Sequence, residues 1–164
     1  MNDGCAGEER SHLLTVAVED YFQHAGFTRL VRPERWPRFE NRVEANTRRA
    51  LDLLDEHGLC ATFFVLGWIA EQMPDVVREI VARGHEVASK GHLHRPLARM
   101  SRDEFRRDAL RSRAAIERAG GVKVHGYRVA EGTFTSTDTW ALDILAQAGF
   151  AYDSSVYPRL GSIA

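Results

Sequence analysis

The sequence predicts an α/β fold, a parallel β-sheet whose strands are joined by crossover helices. Three observations predict it. Short apolar or β-branched runs alternate with helical patterns along the 164 residues. The helical patterns end at glycines and return to the next strand through short turns. Finally, the polar residues able to do chemistry sit where strand-like runs give out: Glu19 and Asp20 after residues 13–18, Lys90 to His94 after 86–89, and Arg128 after 124–127. In sheets built of βα units, the loops following the strands gather on one face, so three clusters distant in sequence are expected to share a pocket.

Residues 13–18 read as the first strand, and the connection after it, 21–42, breaks the rhythm. It holds Pro33 and Pro37 with the aromatics Tyr21, Phe22, Phe27, Trp36 and Phe39. Loops of this length usually carry function or disorder. Two readings stand side by side, a lid or substrate wall beside Glu19 and Asp20, and rings that plug the end of the core. A helix over 43–57 follows, with Ala50, Leu51 and Leu54 at helical spacing, then a strand over 61–66. The helix over 74–83 opens with Pro74, suited to a first helical turn, and leads to a strand over 86–89. Ser101 and Glu104 have capping-box spacing at the start of a helix over 101–119, a charged segment expected to bury Phe105, Leu110 and Ile116. A strand over 124–129, a helix over 137–148 and a short strand over 151–153 complete the series. Gly58, Gly84, Gly120 and Gly149 are expected at left-handed positions closing the four helices. Phe63, Phe64, Trp68 and Trp140 lie in apolar patterns and read as core.

The composition, 44% hydrophobic and 27% charged, is that of one soluble globular domain, taken as residues 13–164 behind a polar tail at 1–12. The 22 basic and 23 acidic residues are spread along the chain, so no basic face points to nucleic acid. No run approaches a membrane span, and the polar start lacks the apolar core of a secretion signal, so the cytoplasm is the expected location. Cys5 and Cys60 are isolated, which implies neither a disulfide framework nor a sulfur metal site, and Cys60 is expected to be a small buried hydrophobe. His85 reads as structural, and His12, His24, His57 and His125 read as surface or turn residues.

Glu19 and Asp20, adjacent at a strand end, allow a division of labour in which one carboxylate coordinates a cation and the other takes a proton from water. Arg128 is expected to hold the basic carboxylate ionised in a fixed geometry. The order of segments is more specific. Val18-Glu19-Asp20-Tyr21-Phe22, Ala61-Thr62-Phe63-Phe64-Val65-Leu66-Gly67, Gly84-His85-Glu86-Val87-Ala88-Ser89, Gly126-Tyr127-Arg128 and Tyr152-Asp153-Ser154-Ser155 together resemble the polysaccharide deacetylases with a NodB-type domain. Glu-Asp-Tyr-Phe in the first motif resembles the bacterial branch associated with exopolysaccharide biosynthesis.

The resemblance implies a distorted (β/α) barrel that removes acetyl groups from N-acetylated polysaccharides or their precursors, using a divalent metal such as zinc held by an aspartate and two histidines. Glu19 stands at the catalytic-base position and Asp20 at the metal position; Arg128 would orient the base, and Tyr21, Asp153, Ser154 and Ser155 would contact the sugar.

Four departures accompany it. The histidine pair falls on Lys90 and His94, so Asp20 and His94 supply two ligands where a catalytic zinc normally takes three, and an ammonium at Lys90 repels a cation. Three readings follow: Lys90 replaces the metal as a fixed charge paired with Asp20; His92 joins His94 and Asp20 around a metal, since positions two apart share a face in an extended segment; or Lys90 is a Schiff-base lysine. Ala130 stands where the family commonly has proline. The family's late general-acid histidine has no counterpart before Ala164, and five βα-like units are too few to close a barrel, so an incomplete domain is expected. A second class of function is therefore carried forward, a catalytically silent carbohydrate-binding or scaffolding module.

Overall fold

The computed structural model describes residues 12–27, 30–130 and 134–156. Five strands form one sheet in chain order, β1 (Thr15–Val18), β2 (Thr62–Val65), β3 (Glu86–Ser89), β4 (Gly126–Tyr127) and β5 (Tyr152–Asp153), and each neighbouring pair is parallel. The connections carry α1 (Val43–Glu56), α2 (Gly67–Gln72), α3 (Pro74–Ala82), α4 (Arg102–Gly120) and α5 (Trp140–Gln147).

The two-residue period of the strands separates two faces. One presents Val16, Val18, Phe63, Val65, Val87 and Tyr127 to the helices, and these join Leu51, Ile69, Val77, Ile80, Phe105 and Ile116 in the main core. On the other face Thr15 aligns with Thr62 and Glu86, and Ala17 with Phe64 and Ala88. This face is polar. Glu86 accepts hydrogen bonds from Tyr152 Oη at 2.9 Å and Thr62 Oγ1 at 2.6 Å. Burial and the Glu86 carboxylate push the Tyr152 phenol up to about 12. Arg128, just past β4, donates to Thr15 Oγ1 on β1 at 3.1 Å. Three strand spacings of about 4.8 Å separate those strands in a flat sheet, so a contact between them requires a strongly curved one. The sheet is an arc of a distorted (β/α) barrel with the polar face on its inside; among the described residues, β1 and β5 are paired on one side only.

α4 packs against α2, α3, α5 and β3. Its capping box forms as expected, with Glu104 N donating to Ser101 Oγ at 3.3 Å and Ser101 N to Glu104 Oε2 at 2.8 Å. Its buried stripe is Phe105, Ala109, Ser112, Ala115, Ile116 and Ala119. Leu110 lies beside that stripe and is 44% exposed, which corrects its expected burial. The helix runs one residue further than expected: Gly121, at φ 67°, closes it, while Gly120 is still helical. Cys60 is exposed rather than buried. α2 was not legible as a helix, because six residues are too few to display a helical period.

The long connection after β1 folds as short 3₁₀ turns, Tyr21–Gln23, Ala25–Phe27 and Pro33–Arg38. Phe22, Val31 and Trp36 form a second small core, against which Phe39, Trp68 and Leu93 pack. The rings therefore plug the end of the fold, and the same segment also walls the site described next.

Candidate active site at the carboxyl edge of the sheet

Glu19, Lys90 and His94 meet just beyond the ends of β1 and β3. Lys90 Nζ donates to Glu19 Oε2, closing a contact between positions 71 residues apart. His94 Nε2 lies 3.0 Å from the same oxygen. Lys90 and His94 are buried, and the Glu19 side chain keeps 19% of its surface exposed. His94 Nδ1 is 2.6 Å from the carbonyl oxygen of Gln23. A carbonyl only accepts, so Nδ1 carries a proton, and the Nε2 contact with Glu19 is a hydrogen bond only when a second proton lies between them. Glu19 thus receives the Lys90 ammonium and faces the His94 ring at one carboxylate oxygen.

Asp20 has a different task. Its Oδ1 accepts Tyr21 N at 2.8 Å, and its Oδ2 accepts Arg42 N at 2.7 Å and Val43 N at 3.3 Å. It caps the first 3₁₀ turn and ties the long connection to the start of α1. The expected Lys90 to Asp20 pairing is corrected accordingly: Lys90 pairs with Glu19, because the chain turns out of β1 at Asp20 and its carboxylate follows the backbone amides.

The loop 90–94 is held by its backbone. Gly91 adopts φ 78°, and a Cβ there would lie 2.9 Å from Asp108 Oδ2, so both conformation and space call for glycine. Ser112 Oγ donates to Gly91 O at 2.9 Å, and Gly67 N and Trp68 N, free at the start of α2, donate to Gly91 O at 2.9 Å and His92 O at 3.2 Å. Asp108 Oδ2 accepts His92 N at 2.7 Å. Burial pushes the Asp108 carboxyl up, opposed by the His92 and Leu93 amides it accepts. The turn at Gly91 ends the extended run, so His92 and His94 do not share a face as expected. His92 points to α2 and α4, with Nε2 3.7 Å from Glu71 Oε2. Burial first, then the Arg111 cation, lower its pKa to about 4, against the pull of Glu71, and the ring is neutral at pH 7.

Arg128 Nε donates to Ser154 O at 3.0 Å and Nη2 to Ser154 Oγ at 2.6 Å, and the guanidinium lies 4.0 Å over the Phe64 ring. Its bonds run to Ser154 and to Thr15 on the inner face of the sheet, whereas the contacts of Glu19 are with Lys90 and His94 rather than the arginine expected there. Asp153 and Ser155 form a local tie, with Ser155 Oγ donating to Asp153 Oδ2 at 2.7 Å and accepting Val129 N at 2.9 Å; Ser155 is buried, while Ser154 is partly open. Tyr21 is 40% exposed with Arg42 5.2 Å from its ring centroid. His85 is structural, accepting Ala61 N at 3.3 Å and packing on Phe63.

The donor set does not fit a catalytic metal. A cation beside His94 Nε2 would meet the Lys90 ammonium, and both oxygens of Asp20 already accept amides. Among the described residues, no three His, Cys, Asp or Glu side chains are grouped to hold one. No helix of the described residues is long and apolar enough to cross a membrane.

Gln23, Asp108 and Ser112 were missed from sequence. The last two carried a signal, since they are polar residues four apart on α4 with Ser112 inside its apolar stripe.

A curved parallel sheet whose polar cluster sits at the strand ends defines a (β/α)-barrel-type scaffold, with the cluster on the face where such folds build their sites. The sequence pattern of the polysaccharide deacetylase family matches residues 36–152, and the chain belongs to that family. It is 35% identical over 75 residues to a peptidoglycan-N-acetylglucosamine deacetylase of Bacillus cereus, covering 46% of this chain and 27% of the relative. It is 41% identical over 73 residues to a chitooligosaccharide deacetylase of Sinorhizobium fredii, covering 44% of this chain and 34% of that one. Among solved structures, a Mycobacterium smegmatis protein assigned as a polysaccharide deacetylase superposes with TM-score 0.71 at 29% identity, over 88% of this chain and 50% of that one. A family 4 carbohydrate esterase pseudoenzyme from Bacillus anthracis shares the fold, with TM-score 0.67 at 20% identity over 86% of this chain and 41% of that chain. The chain thus spans about a third or less of these two curated relatives and half or less of these two structures.

Proposed function

We propose that this chain is an amide hydrolase domain that de-N-acetylates N-acetylated sugars of a polysaccharide, by a route in which Lys90 stands in for the family's cation. The observation that carries the reading is the meeting of Glu19, Lys90 and His94 at one carboxylate oxygen. Glu19 takes a proton from water, whose oxygen adds to the acetamide carbonyl carbon. The Lys90 ammonium stabilises the resulting oxyanion, a role worth about 10²–10³ in rate for one donor. The C–N bond then breaks, the proton that Glu19 took from the water passes to the leaving amine, and acetate and a free amino sugar remain. Tyr21 and Ser154, both partly open at this edge, contact the sugar. The Glu-Asp-Tyr-Phe motif and the family's carbohydrate substrates support a place in exopolysaccharide metabolism.

A second reading is favoured by one observation: the Lys90 bond occupies the Glu19 oxygen that a base would use. In that case the site is a catalytically silent sugar-binding module. Chelator-treated protein mixed with an N-acetylglucosamine oligomer separates the two. Acetate release that persists in chelator and falls at least 100-fold in Glu19→Gln supports the hydrolase; binding without acetate release supports the module; metal-dependent release overturns the role given to Lys90.

A further inference from the structure

Lys90, the first residue after β3, reaches Glu19 with a long, flexible side chain, so its aim depends on the backbone that carries it. Two serines from outside the Glu19 cluster hold that backbone. Gly91 N donates to Ser89 Oγ at 3.1 Å, Ser112 Oγ donates to Gly91 O at 2.9 Å, and the two hydroxyl oxygens are 2.7 Å apart. The direction of each proton follows. A carbonyl only accepts, so the Ser112 proton is committed to Gly91 O, and the bond between the hydroxyls runs from Ser89 to Ser112. The result is a closed ring, from Gly91 N through both hydroxyls to Gly91 O, that grips one residue by both of its backbone groups. Gly91 is buried and both serines are 0% exposed.

Two features give the ring a bearing on the site. Peptide units are planar, so a held N–H fixes the whole unit. Lys90 N donates to Val65 O at 2.9 Å, which holds the unit before the Lys90 Cα, and the Gly91 N–H bond to Ser89 holds the unit after it. Both torsions of Lys90 are thereby set. The second feature is closure from α2: Gly67 N also donates to Gly91 O at 2.9 Å, and a Cβ on Gly67 would fall 3.0 Å from Ser112 Oγ. Ser112 lies in the apolar stripe of α4, where a hydroxyl is costly unless it is fully bonded, and the ring bonds it fully.

We propose that Ser89 and Ser112 are positioning residues of this site: their hydroxyl ring fixes the turn at Gly91 and so directs Lys90 and His94 onto one oxygen of Glu19. The consequence for rate rests on the hydrolase reading above, whereas the consequence for the Lys90 to Glu19 contact does not. The test therefore has two readouts. The first is the coupling between Lys90 and Glu19, from a double-mutant cycle of Lys90→Met and Glu19→Gln measured by denaturant unfolding in the parent, Ser89→Ala, Ser112→Ala and Ser101→Ala backgrounds. Coupling should fall by at least half in Ser89→Ala and Ser112→Ala and hold in Ser101→Ala, which weakens α4 at its cap without touching the turn. Unchanged coupling in both serine variants overturns the proposal, and so does an equal fall in Ser101→Ala, which would mark general destabilisation. The second readout is acetate release from an N-acetylglucosamine tetramer: kcat should drop at least tenfold in Ser89→Ala and Ser112→Ala while KM stays within twofold. Release at the parent kcat in both variants overturns the proposal. A parent protein that releases no acetate overturns the hydrolase reading, and the coupling then decides the positioning role by itself.

Discussion

Asp108, on α4, accepts the backbone amide of His92 at 2.7 Å, and this bond joins the helix to the loop that carries Lys90 and His94. Ser112, one turn along, holds the Gly91 carbonyl at 2.9 Å. Replacing Asp108 with alanine strands the His92 amide and should destabilise the fold by about 1–3 kcal/mol. Asp108→Asn, which retains an accepting oxygen, should recover much of that loss. Denaturant unfolding checks the magnitude, and faster hydrogen exchange at 91–94 in the alanine variant alone would locate it.

Lys90 and Glu19 form a largely buried ion pair, with side-chain exposures of 8% and 19%. Truncating one partner of a fully buried pair costs about 3–5 kcal/mol because the other charge is left desolvated. Glu19 retains some water, so Lys90→Met should cost less, about 2–3 kcal/mol. Adding Glu19→Gln should restore part of the stability, and a double-mutant cycle measures the coupling.

Gly67 is closed to any side chain, since a Cβ would fall 2.6 Å from both His92 Nδ1 and the Ser112 backbone. Gly67→Ala should therefore destabilise by about 1–3 kcal/mol, the usual range for overpacking, despite the higher helix propensity of alanine. Thermal or urea unfolding reads this out, and an unchanged midpoint would contradict the close approach.

Glu104 is held at about 2 by the backbone amide of Ser101 and then by Arg95. Because the folded value lies below the ordinary 4.5, its contribution is complete above about pH 4.5 and is lost as the pH falls from there toward 2. The acid limb of the stability curve should be shallower in Glu104→Gln than in the parent protein, as seen by melting temperature between pH 5 and pH 3.

Phe105 lies at the centre of the α4 packing, with ring centroids of Tyr127 and Trp140 each 5.6 Å away. Phe105→Ala should cost about 3–5 kcal/mol. Leu110→Ala, on the exposed side of the same helix, should change stability little, which tests the corrected position of the buried stripe.

Most of the architecture was legible in the chain because it depends on local regularities. Alternating strand and helix periods, the Ser101 and Glu104 capping box, and polar residues placed at strand ends predict the observed sheet and the polar cluster at its carboxyl edge. Motif order likewise identified the family. The donor each carboxylate meets was not legible, because it follows from side-chain direction at the turn after β1. Neighbours in sequence, Glu19 faces Lys90 and His94 while Asp20 is consumed by backbone amides. The turn at Gly91 decides in the same way that His94 enters the site and His92 leaves it. The sequence by itself determined the scaffold and the family; only the tertiary structure decided which polar residues at the strand ends meet at one carboxylate oxygen and which of them hold the backbone, because those depend on directions in space that residue spacing does not encode.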